Sequence, residues 1–335
     1  MAYKGRTRQD LSQNQLGTAA ASAPNPMAAI TSLPNPVNTA NYLVFYNSPN
    51  NRLAAVQQAL SNLGGPLSDA GAAANTNIHS GFVANPSTLT SVLFQSTVNV
   101  YGVLDGTTKG DLFICRLSPG FELLNIGSPP VSTPSSIAAC GDGGQNGTLF
   151  YLAVDGTIRF ITLPGTQTTS KPTPISLSLN PTTYLGAVYG TFTGKSADSY
   201  VGLQTTQGRV YVCSGFSEIS APIQQSNGLK NTPIAMVFVN GNLIVYFLGP
   251  VGSGPDSNTS PVCRAVTDNL LNGFYFSLLD TAPSPNGYTQ LTAFPAPAPG
   301  GGSPSSVILS YVQDSSNQLV SWEDDLTGIK DGRQY

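Results

Sequence analysis

Six times along the chain an apolar, β-favouring run meets a cluster of turn-forming residues and is followed by a second apolar run. The clearest copy is LFYLAVDGTIRF at 149–160, where Asp155-Gly156 joins the two runs. Asp-Gly between alternating hydrophobics signals a hairpin, because a tight primed turn needs positive φ where the glycine sits. The other copies are NYLVFYNSPNNRLAAVQQ (41–58), VNVYGVLDGTTKGDLFICRL (98–117) and SYVGLQTTQGRVYVCSG (199–215). NLIVYFLGPVGSGPDSNTSPVCRAV (242–266) and SVILSYVQDSSNQLVSWEDD (306–325) complete the set. Hairpin starts recur every 43 to 64 residues, near the roughly 40–50 of a four-stranded propeller blade.

Each hairpin has a partner on either side. Before it stands a run rich in small residues: NPMAAIT (25–31), STLTSV (87–92), SSIAAC (135–140), TYLGAV (183–188), TPIAMV (232–237) and TQLTAF (289–294). Small side chains suit an inner strand where backbones converge. After it comes a looser run, such as FELLNIG (121–127), TPISLSL (173–179) or FYFSLLD (274–280), expected as an outer strand. The best helical pattern, LAAVQQALSNLG (53–64), overlaps a hairpin arm. The expected fold is all-β: a six-bladed β-propeller of four-stranded antiparallel blades over residues 26–335, with a β-sandwich pair or a β-solenoid as alternatives. Residues 1–25 are read as an N-terminal arm, either disordered or lending YKGRTRQ as a strand that closes the ring.

Only 9% of the 335 residues are charged, against about 25% in an ordinary globular domain. The formal net charge of −3 offers no basic field for nucleic acid or an anionic membrane. MAYKGRTRQDLSQNQLG lacks the apolar core of a secretory signal, and no apolar run nears the ~18 residues of a membrane helix. The expectation is a protein made in the cytosol, which stays there or leaves without a signal peptide.

Catalytic and metal chemistry find little support. His79 is the only histidine, and Cys115, Cys140, Cys213 and Cys263 form no C-x-x-C pair. A zinc site and a Ser-His-Asp triad are thereby disfavoured, and the cysteines read as small buried hydrophobes. A cytosolic start argues against disulfides. No G-x-S-x-G elbow or phosphate-binding glycine motif occurs in a suitable context. The expectation is no catalytic residue, no metal and no cofactor.

TPIAMVFVNGNLIVYFLG (232–249) and SSIAACGDGGQNGTLFYLAVDGTIRF (135–160) resemble the blades of the fungal fucose-specific lectins, six-bladed propellers, over about residues 26–325. The resemblance implies sugar sites between blades, each with an Arg from the second strand, a Glu from the third and aromatic walls. An Arg donates in a fixed fork, a carboxylate accepts from hydroxyls, and a ring covers the apolar sugar face. The Arg positions here hold Leu43, Asn99, Thr148, Ile244 and Leu309, with the fourth blade aligning poorly. The Glu positions hold Ala55, Ile114, Phe160, Val212, Arg264 and Ser321. Neither set matches, so any sugar must be held by other residues.

Candidates for such contacts are Trp322, the only tryptophan, with Glu323 beside it, and the recurrent second-strand tyrosines Tyr46, Tyr246 and Tyr311. Arg264 joins them, since an Arg within a third-strand run needs a partner if buried. Each also has a plainer reading as blade packing. The functional expectation is a non-enzymatic, lectin-like carbohydrate-binding propeller whose partners are glycans or glycoproteins. A scaffold propeller that has lost sugar binding is the alternative.

Overall fold

A computed structural model describes residues 29–47, 53–63, 83–84, 88–105, 112–124, 136–163, 168–170, 178–215, 219–224, 226, 229–250, 260–285, 289–298, 302–313, 318–327, 329–330 and 333–334. The N-terminal arm and His79 lie outside them.

Among the described residues the chain forms six antiparallel sheets, each meandering in chain order, and one short hairpin. Sheet I contains β1 (Ile30–Pro34), β2 (Asn41–Asn47) and β3 (Leu53–Ala59). Sheet II contains β4 (Leu89–Phe94), β5 (Thr97–Asp105), β6 (Leu112–Ser118) and β7 (Glu122–Leu123). Sheet III contains β8 (Ile137–Gly141), β9 (Gly147–Leu152), β10 (Ile158–Leu163) and β11 (Thr168–Ser170). Sheet IV contains β12 (Gly186–Gly190), β13 (Asp198–Gln204), β14 (Val210–Ser214) and β15 (Ser220–Pro222). Sheet V contains β16 (Ile234–Val239), β17 (Asn242–Leu248), β18 (Val262–Thr267) and β19 (Tyr275–Leu278). Sheet VI contains β20 (Thr292–Pro295), β21 (Ser306–Val312) and β22 (Leu319–Asp325). The hairpin is β23 (Ile329–Lys330) with β24 (Arg333–Gln334).

Sheets I and VI show three strands among these residues rather than the expected four. The outer strand of sheet III is β11, ahead of the expected run at 173–179, and residues 53–59 form the hairpin arm as expected. Among the described residues no helix is long and apolar enough to cross a membrane.

Strand burial explains why this sequence stacks sheets face to face. The second strand β9 (GTLFYL) is buried at every position, and β17 (NLIVYFL) at all but its first. A strand apolar on both faces needs cover on both. Outer strands β7 and β19 are largely exposed. Burial therefore falls from the centre outwards, and six hydrophobic clusters lie between successive sheets. Examples are Tyr101, Ile114, Leu149 and Tyr151 between II and III, and Tyr42, Val44, Phe294 and Ile308 between VI and I.

The first strands β1, β4, β8, β12, β16 and β20 adjoin one another in closed cyclic order. They are not paired as one sheet, so their unpaired backbone groups need other partners. Hydroxyls on the neighbouring strand supply many of them. Thr88 Oγ1 accepts from Ile137 N at 2.8 Å, Thr90 Oγ1 from Ala139 N at 2.8 Å, and Ser136 Oγ from Leu185 N at 2.7 Å. Between sheets VI and I, Thr292 Oγ1 accepts from Ser32 N at 3.0 Å. Gln290 accepts from Ile30 N and Leu89 N, each at 3.1 Å, and donates to Leu89 O at 2.7 Å. The Ser/Thr content of the inner runs is thus a backbone-satisfying feature as well as a small-residue one. The result is a β-propeller.

The Asp155-Gly156 turn differs from the primed turn expected. Gly156 alone has positive φ (77°), its N–H donates to Ala153 O, and Ala153 N donates to Thr157 O. That is a three-residue loop ending in a left-handed glycine. Thr205–Arg209 repeats it around Gly208. The two-residue primed geometry occurs instead at Asn240-Gly241 and Gln95-Ser96, where both residues have positive φ.

Candidate functional site

Sheet packing carries four of the six candidate residues to the V–VI interface. Tyr246 on β17, Tyr311 on β21 and half-buried Trp322 on β22 share one apolar cluster. Arg264 on β18 is 3% exposed and meets Asp324 on β22, also 3% exposed, at 2.7 Å. Tyr246 donates from its hydroxyl to Asp324 at 2.7 Å, and Arg264 Nε donates to Ser277 Oγ at 3.2 Å. Burial pushes the Asp324 carboxyl above its ordinary range, against the pull of Arg264. Burial, with the Asp324 charge, also holds the Tyr246 phenol well above its usual value.

Tyr246, Arg264 and Asp324 form a closed network that solvent does not reach. Tyr311 is likewise buried, donating to Pro283 O at 2.7 Å. Glu323 is exposed and accepts from Ser306 Oγ at 2.5 Å, while Tyr46 sits half-buried in the VI–I cluster. The positions where a fucose-lectin blade would carry Arg or Glu are largely core, among them Ile114, Val212, Ile244 and Leu309.

The central channel, lined by the inner strands of all six sheets, has room for only about 80 Å³. A larger opening lies between sheets IV and V. This cleft of about 420 Å³ is lined by Phe192, Lys195, Ser196, Ala197, Asp198, Tyr200, Ser214, Ile219, Asn269, Leu270 and Leu271. Its size falls within the few hundred Å³ usual for small-molecule sites.

The 191–197 segment between β12 and β13 builds one wall. Lys195 N donates to Phe192 O at 3.0 Å, Gly194 has φ of 74°, and Thr191 Oγ1 donates to Lys195 O at 2.6 Å. A turn with positive φ at its third residue is type II, which calls for glycine there. It holds Lys195 at the mouth. Beneath it Phe192 meets Tyr200 edge-on, centroids 5.5 Å apart, and Phe238 at 5.1 Å. Gly190 makes room for this cluster, since a Cβ there would run into the Phe238 ring.

Polar groups converge on this apolar floor. Asp198 accepts from Ser199 N at 2.7 Å and from the Ser214 hydroxyl, both within its own sheet. Burial, with the Asp198 charge adding to it, pushes the Tyr200 phenol up to about 12, so it stays a neutral donor. Across the cleft, Asn269 Oδ1 accepts from Leu271 N at 3.1 Å, directing that side chain's carbonyl into the following 3-10 turn. Asp198, Lys195 and the largely buried ring of Tyr200 thus line one cleft. None was a candidate from sequence. Their signal was present in TFTGKSADSY, where two charges fall between two aromatics in the blade that aligned poorly.

The thiols offer no nucleophile. All four cysteines are free and buried, and burial pushes Cys115, Cys140 and Cys263 up to about 12. Among the described residues no three metal-ligating side chains cluster.

No family model matches the chain. A fungal protein named wall-associated proteinase, from Coccidioides posadasii, is 26% identical over 290 residues, spanning 78% of this chain and 86% of its own. Solved lectins align over most of the molecule. AofleA from Arthrobotrys oligospora has a TM-score of 0.62 at 15% identity, covering 89% of this chain and 83% of its own. The fucose-specific lectin from Aleuria aurantia, described as a six-bladed β-propeller, has a TM-score of 0.53 at 13% identity, covering 89% and 96%. The chain therefore has the β-propeller fold of the fungal fucose lectins.

Proposed function

We propose that this protein is a non-enzymatic carbohydrate-binding propeller of six blades, sheets I to VI, with its sugar site in the cleft between sheets IV and V. The observation that carries the reading is the convergence of Lys195, Asp198 and Tyr200 on one open cleft. The lectin neighbours support it at the level of fold. Ring hydroxyls would donate to Asp198, and the apolar sugar face would lie on the exposed Leu271 and Ile219 above the Tyr200 floor. The glycans or glycoproteins bound would be recognised without the Arg and Glu of the fucose-lectin pattern.

A glycan array probed with the labelled protein and with Asp198→Ala tests this. The expected outcome is a coherent set of bound glycans that the substitution abolishes. A blank array at high protein concentration would remove the reading. It would favour a scaffold propeller, which the exposed Phe113, Phe121 and Leu123 near the outer end of sheet II support. The name of the Coccidioides relative raises proteolysis as a further reading. Buried thiols with raised pKa argue against a cysteine nucleophile, and a casein-release assay on the purified chain is expected to show no activity.

A further inference from the structure

We propose that the cleft between sheets IV and V selects a carboxylate-bearing sugar, such as a uronic acid unit of an acidic polysaccharide, and that each chain holds one such site. This rests on the carbohydrate reading and adds the ligand's charge, its direction in the cleft and its stoichiometry.

The charge follows from Lys195. Arg116, Arg159 and Arg264 are engaged in ion pairs with Glu122, Asp155 and Asp324. Lys195, Arg209 and Lys230 have no ion pair among the described residues, and of these three only Lys195 lines the cleft, with Asp198 three positions away on the same wall. Asp198 is turned instead towards Ser199 N and Ser214, which hold its carboxylate as a fixed acceptor. Two opposite charges thus line one cleft without satisfying each other. A neutral sugar would leave the exposed ammonium to water and gain nothing from it, and a simple aliphatic carboxylate would offer nothing to Asp198. A sugar acid offers both a carboxylate and hydroxyl donors, and an ionised carboxylate on an ammonium forms a charge-assisted hydrogen bond. The two charges also fix direction: the carboxylate goes to Lys195 at the mouth and the hydroxyls to Asp198. With a net charge of −3 over the whole chain, attraction to an anion must be local to this ammonium.

The stoichiometry follows from the loop. The connections matching 191–197 in sheets II and V are the two-residue turns Gln95-Ser96 and Asn240-Gly241. In sheet III the connection closes on itself, Asp142 accepting from Gly144 N and from both nitrogens of Asn146. None of these three presents a lysine to its neighbour.

The test is calorimetric titration of the full chain with glucuronic acid oligosaccharides and with neutral cello-oligosaccharides, at low and high sodium chloride. The expected result is one site per chain, at least tenfold preference for the acidic probe, and loss of that preference at high salt. Lys195→Gln should abolish the preference and Lys195→Arg should largely keep it. Lys195 is exposed, so circular dichroism should show both variants folded. Equal binding of neutral and acidic probes, unmoved by Lys195→Gln, would overturn this inference and leave the carbohydrate reading standing. Sites in several blades would overturn the stoichiometry. No binding of either probe, together with a blank glycan array, would overturn both readings.

Discussion

Asp324 holds the interface between sheets V and VI, because one carboxylate receives both a guanidinium and a phenol with almost no water near. Removing one member of such a set leaves a buried charge unpaired, which typically costs about 3–5 kcal/mol. Asp324→Ala or Arg264→Met alone is expected to lower unfolding free energy by about that amount in urea titrations. The combined Tyr246→Phe, Arg264→Met, Asp324→Leu protein should recover most of the loss, since apolar groups of similar size leave nothing unsatisfied. Recovery of nothing would mean the network is not the source of the effect. The sequence indicated that a buried Arg264 needs a partner. It did not indicate which member of Glu323-Asp324-Asp325 faces inwards. Strand alternation decides that: Asp324 is buried while Glu323 and Asp325 are exposed.

At the scale of the strand and its turn, inner strands are constrained by how closely their neighbours approach. Gly186 on β12 lies against β16, and a Cβ there would sit 2.8 Å from Ile234 O. Backbone cannot yield as a side chain does. Gly186→Ala is expected to cost about 1–3 kcal/mol, read as a lower melting temperature, whereas Gly120→Ala, with no atom within 4 Å of its Cβ and no positive φ, should cost less. Equal costs would show that the inner ring has slack. The hairpins were legible because second and third strands are long, apolar and separated by turn residues. Outer strands were legible in part: the runs at 121–127 and 274–280 carry β7 and β19, whereas β11, three residues long and too short for a period to register, lies ahead of the expected 173–179. The Asp-Gly signal located the hairpin but not its turn type, because the loop there spans Val154 to Gly156 and only Gly156 has positive φ.

The whole molecule is a ring whose last sheet must find its first. Gln290 serves that closure by bonding to Ile30 and Leu89, backbone positions on two other sheets. Gln290→Leu would leave those amides unpaired, at about 1–3 kcal/mol for each buried group left unsatisfied. The Ile30 and Leu89 amides should then exchange hydrogen faster than amides in sheets III and IV. Uniform protection across all six sheets would refute this role. The sequence by itself determined that the chain is a repeat of hairpins with small-residue inner strands, because period and turn chemistry are local properties. Its resemblance to the fucose lectins also implied that their Arg and Glu are missing here. Only the tertiary structure decided where the larger cleft opens, because it joins the 191–200 wall to Asn269 and Leu271 on the next sheet. Contact between residues some seventy positions apart depends on how two sheets meet, and no local pattern records it.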